Sequence, residues 1–147
     1  MSVLSAARTA LAAQIDAATT VQVTPHPPGD LQAVRESIWL ERGESTFEWR
    51  SLGIGPQLAR NRMEEISIDL QVRVFKEGSL QTTAAAAAMA RCEELLDAIE
   101  DAVAPAPDLG GVVSYGRIAS MSVTPLATDS GWLIEGRARF EAQNHPS

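Results

Sequence analysis

The chain reads as an α+β domain: a mostly antiparallel sheet with two helices packed on one face and a projecting β-hairpin. Three stretches predict it. Residues 62–76, RMEEISIDLQVRVFK, set Ile66, Ile68, Leu70, Val72 and Val74 against Glu65, Ser67, Asp69, Gln71 and Arg73, the period-2 alternation of a half-buried strand. Residues 82–103 place Ala85, Met89, Cys92, Leu96, Ile99 and Val103 at steps of three or four, the stripe of a helix packed by one side. Residues 132–142 alternate again. There Trp132, Ile134, Gly136, Ala138 and Phe140 oppose Leu133, Glu135, Arg137, Arg139 and Glu141, so one face is buried and the other charged.

The remaining elements follow in chain order. Leu4, Ala7, Leu11 and Ile15 recur at helical spacing, which predicts a first helix over residues 3–17, ended by Thr19 and Thr20. Val21 and Val23 alternate with Gln22 and Thr24 in a short strand. Pro25, Pro27, Pro28 and Gly29 then stop it, because proline removes amide donors and favours turns. Residues 37–40 and 46–50 flank Glu41, Arg42, Gly43, Glu44 and Ser45, which predicts a β-hairpin closed by a glycine-containing loop. Residues 51–61, SLGIGPQLARN, hold no sustained period and read as an extended, mobile loop. Gly78 ends the main strand, and five consecutive alanines, residues 84–88, favour the long helix and allow close approach to a sheet. Pro105 and Pro107 close that helix, Gly110 and Gly111 turn the chain, and residues 112–124 form the next strand.

At 147 residues the chain fits a single domain spanning 1–147, without internal repeats. Hydrophobic content of 45% against 21% charged is the balance of a folded globular protein, far from the signature of disorder. The formal net charge of -7 argues against a surface that grips phosphates. DNA sliding through the centre of an assembly is compatible with it. Cys92 is the sole cysteine, so neither an intramolecular disulfide nor a multi-cysteine metal site is expected, and a reducing cytoplasm is the simplest place of synthesis. Residues 1–20 lack the basic and apolar regions of a signal peptide, and no window is apolar enough to span a bilayer.

Catalytic chemistry has no visible foothold, and no catalytic residue, metal or cofactor is expected. His26 sits in a proline-rich loop and His145 near residue 147, without partners at metal or triad spacing. Cys92 lies between Met89 and Leu96 on the apolar stripe and reads as a small buried hydrophobe. Glu64 and Glu65 are adjacent, so on a strand they point to opposite faces and cannot pair; solvation at a loop end is the simpler reading. GxGxxG, Walker, HExxH and GxSxG motifs are absent.

The residues that stand out are suited to assembly. Asp97, Glu100 and Asp101 crowd the end of the long helix, where the helix dipole is already negative. A solvated acidic face is the plain reading; a basic patch on a neighbouring copy, built from Arg50, Arg60 and Arg62, is the sharper one. Trp39, Phe47 and Trp49 on the predicted hairpin fit either the core or an interface, where such residues are enriched.

The run from Trp49 through Leu52, Gly53, Arg60, Arg62 and Glu65 into residues 66–75 resembles the tail terminator proteins of long-tailed bacteriophages. Gly78, a helix with small residues and acids, Leu109, Gly110, Gly111 and Val112, and Pro125 before a closing strand continue the likeness, which covers most of the chain to Ala142. The resemblance implies a structural virion protein of the tail and neck, assembled in the host cytoplasm, that makes and breaks no bond. Its expected partners are itself, in a homo-hexameric ring, the tail tube protein and the head-tail connector protein, with DNA passing through the lumen and no membrane involved. In a closed ring, one surface of each protomer meets a different surface of the next. The interface candidates are Trp39, Phe47, Trp49, Arg50, Arg60, Arg62, Glu65, Asp97 and Glu100. Two other readings stand beside it: a head-to-tail connector or tail completion protein, and a small cytoplasmic ligand-binding or enzymatic domain, which would need a pocket of converging polar groups.

Overall fold

The computed structural model describes residues 2–25, 36–49, 62–77, 82–128 and 131–145. Its elements are α1 (Leu4–Ala18), β1 (Val23–Thr24), β2 (Glu36–Trp49), β3 (Arg62–Glu77), α2 (Thr82–Val103), β4 (Tyr115–Ala127) and β5 (Gly131–Asn144). The five strands form one sheet in the order β1-β2-β3-β5-β4. All neighbours are antiparallel except the two-residue β1, which runs parallel to β2. The fold is α+β.

Register assigns each side chain to a face. Ile66, Ile68, Leu70, Val72 and Val74 of β3 are buried, and across them lie Ile38 and Leu40 of β2 and Ile134, Ala138, Phe140 and Ala142 of β5. The helix contacts fall on this side. α2 reaches Gly136 through Cys92 and Leu96, and the Nε of its Arg91 donates to both carboxylate oxygens of Glu36, at 2.8 and 3.1 Å. α1 meets Gly43 through Leu4 and Arg8. A side chain at Gly136 would collide, its Cβ lying 2.7 Å from the Cys92 sulfur, whereas one at Gly43 would sit tightly, 3.1 Å from an Arg8 nitrogen. The buried stripes of α1 (Ala7, Leu11, Ala12, Ile15) and α2 (Ala88, Cys92, Leu95, Leu96, Ile99, Val103) complete the core, each large aliphatic contributing about 1.5–3 kcal/mol.

Two predicted features differ. β2 runs unbroken through Glu41, Arg42, Gly43, Glu44 and Ser45, where a hairpin loop was expected. The chain inserts one extra residue there, because Glu41 and Arg42 together stand opposite Asp69. This is a bulge, which bends a strand without reversing it. Arg8 anchors it, donating to the carbonyls of Glu41 (2.8 Å) and Leu40 (3.2 Å) and, from the same guanidinium, to Pro25 (2.6 Å). The antiparallel partner of β2 is β3. Second, β4 begins at Tyr115 rather than Val112, since Leu109, Gly110 and Gly111 all take positive φ and hold the chain in a turn. The predicted loop over residues 51–61, Gly78 and His26 lie outside the described residues.

β4 carries its own bulge, with Ala119 inserted between Ile118 and Ser120. Through the pairings of Asp69 with Arg139 and of Arg139 with Ser120, the two bulges fall at one level of the sheet. Bulges sharpen local twist and bending. On the face away from the helix contacts, a trough of about 540 Å³ lies to one side of this level, lined by residues of β2, β3, β4 and β5.

Candidate functional site

The most distinctive surface is the edge strand β4. Every large apolar side chain exposed among the described residues lies on it: Tyr115 at 57%, Met121 at 40% and Leu126 at 44%. From Ile118 to Thr128 the sequence carries no charge. Native sheets usually guard a long edge with charges, prolines or bulges, because its unpaired backbone groups invite another strand. Here a charge, Arg117, stands only near the start of the strand, and the guards beyond it are Pro125 and the bulge at Ala119. The opposite edge is short at its first half, where β1 pairs with β2 only at Ile38 and Trp39. Beyond that, no described strand covers the outer side of β2.

The open face is polar and internally paired near its centre. Arg73 joins Glu135 at 3.2 Å, and Arg139 lies 3.4 Å from Glu141 while donating to Ser67 at 3.2 Å. Arg117 and Arg137 are exposed and have no ion-pair partner among the described residues. One cross-sheet row runs Arg117, Glu141, Ser67, Glu44 through consecutive pairings. Its two ends carry opposite charges.

The sequence-predicted interface residues are distributed unevenly over this frame. Trp39 is buried within the chain at 2% exposure. Its indole N–H donates to Glu41 at 3.1 Å and the Arg73 guanidinium sits 5.6 Å from its ring centre, a cation–π arrangement. Phe47 is half-buried opposite Glu64, and Trp49 stands opposite Arg62 at the end of the β2–β3 pair. Glu65 lines the trough beside Thr46. Arg50 and Arg60 lie outside the described residues. Asp97 and Glu100 are exposed on α2, which packs on β3, β5, β4 and α1 and so is carried by a different layer from the Trp49–Arg62 end. No described cation reaches ion-pair distance of Asp97, Glu100 or Asp101. What steadies this helix end is Gln14 of α1, whose amide donates to the carbonyls of Ala102 (2.6 Å) and Ala106 (3.2 Å).

One site the sequence reading misjudged is Glu64. It points to the helix side, as alternation requires, yet it is buried at 1% exposure rather than solvated. Its carboxylate accepts from Ser2 Oγ (2.5 Å), the Val3 amide (3.1 Å) and Ser45 Oγ. Burial pushes the carboxyl upward, and these hydrogen bonds outweigh it and hold the group below the ordinary glutamate value. Burial also pushes the Cys92 thiol up to about 11, aided by neighbouring Glu93. Among the described residues, no three His, Cys, Asp or Glu side chains gather to hold a metal ion, and no helix is long and apolar enough to cross a membrane.

The chain matches no protein-family model and no curated protein sequence.

Proposed function

We propose that this chain is a structural assembly protein that forms a ring capping a phage tail tube, ends tube polymerisation and presents the docking surface for the head connector. The observation that carries the assembly part is the edge strand β4, where the exposed large apolar side chains of the described residues lie on a strand that is paired on one side only and carries no charge from Ile118 onward. Such an edge is an invitation to protein–protein association. The tail-specific part rests on the sequence likeness of residues 49–75 and the glycine-marked turns after them to tail terminators. The trough on the open face, where Arg117 and Arg139 stand among Glu44, Glu65 and Glu141, suits a surface along which DNA passes without adhering.

Electron microscopy of particles made after deletion of the gene tests the reading. Overlong tails that join no heads are expected. Tails of normal length that fail to join would replace it with a connector role, and unchanged particles would overturn both.

A further inference from the structure

The sheet has two open edges, and their residues are complementary. In sheet order β2 and β4 are the outer long strands, and three antiparallel pairings separate them, so they run in opposite directions. A second copy placed beside the first with its faces in the same sense would therefore lay its β2 antiparallel to β4. Such a contact joins two different surfaces and repeats head to tail. The bulges at Glu41/Arg42 and Ala119 lie at one level, so each edge strand gains one residue at the same height. Side chains on the two edges thus stay in phase above and below it. At the ends of one row stand Arg117, exposed and without an ion-pair partner among the described residues, and Glu44, whose one ion pair among those residues is a surface contact with Arg42. In the next row stand Tyr115 and Thr46, joined through Gln143 and Glu65.

The geometry points to a strand-pairing contact between copies of this chain, in which residues 115–118 of β4 lie antiparallel to residues 43–46 of the next copy's β2 and Arg117 meets Glu44. Pairing of two β4 strands is the weaker alternative. A two-fold axis across that edge would bring together the acidic α2 borders, Glu93 and Asp97, which lie beside Met121 and Val123, and like charges across a seam oppose association. The heterologous contact instead places the Arg117 guanidinium by a carboxylate and covers Tyr115. It deepens the proposed ring assembly and rests on that reading only for closure of the ring.

The test is sedimentation velocity on the full chain across a concentration series, with Arg117→Glu, Glu44→Arg and the double variant beside the unaltered protein. Each single reversal should weaken self-association about tenfold, and the double should restore it. A second variant, Tyr115→Cys with Thr46→Cys, should give on oxidation a ladder of cross-linked species ending at a closed ring, whereas either cysteine alone should give none. Assembly indifferent to both reversals, or a chain that stays monomeric at every concentration, overturns the edge contact. The gene-deletion phenotype decides the tail role separately, so the two failures are distinguishable.

Discussion

The Glu64 carboxylate accepts a hydrogen bond from the amide of Val3 at 3.1 Å, tying the start of the central strand β3 to the residue that caps the N-terminus of α1. Val3 offers that helix no side-chain cap. A carboxylate from another element supplies both the missing acceptor and a negative charge at the positive end of the helix dipole.

Glu64→Gln should therefore cost about 1–3 kcal/mol, measured by urea denaturation at neutral pH. The pH dependence has a definite sign. The folded-state pKa is depressed below the ordinary value of 4.5, so the stabilisation is fully present above that value and is lost as pH falls through the folded pKa. The unaltered protein should lose stability over this acid range more steeply than Glu64→Gln. Parallel curves for the two would remove the assignment.

Gly136→Ala should destabilise the fold by about 1–3 kcal/mol, because the new methyl meets the Cys92 sulfur at 2.7 Å and Leu96 and Val72 at 3.3 Å. Adding Cys92→Ala to it should recover most of the loss in a thermal melt. An uncoupled, additive double variant would show that the sheet yields rather than the helix contact.

Cys92 should stay inert toward a thiol-specific chromogenic reagent in the native protein at neutral pH and react fully once unfolded. It is buried, and its thiol is pushed up to about 11, so little thiolate exists. Fast labelling of the folded protein would contradict this.

Arg8→Met keeps the aliphatic stem and removes the donors to Leu40, Glu41 and Pro25. About 1–3 kcal/mol should be lost. Amide exchange should accelerate at Ile38, which pairs across to Gln22, more than at the centre of β3. Uniform acceleration would mean that the arginine supports the whole domain rather than the bulge.

Much of this architecture is legible in the sequence where a periodic stripe is long. The alternation in β3 and β5 and the helical steps of α2 are local patterns, and α2 spans the residues its spacing predicts. Gly43 shows where locality fails. A glycine between charged residues signals a turn, but in the structure its missing side chain makes room for Leu4 and Arg8, a contact made 35 or more residues away. Glu64 is similar, since its partners Ser2 and Val3 lie just before α1, 62 and 61 residues away in the chain. For the candidate surface, aromatic character singled out Trp39, which the structure buries against Arg73. The plainer signal was the uncharged run of β4, which becomes informative only once that strand is known to lie at an edge.

The sheet order also governs the sequence of events on the ribosome. β4 precedes β5 in the chain, yet β5 lies between β3 and β4 and is hydrogen-bonded to both. Until the stretch from Gly131 emerges, β4 has no strand partner within its own chain and one side of β3 is open. The nascent polypeptide thus carries the strand of Tyr115, Met121 and Leu126 without its neighbour for the interval before β5 arrives.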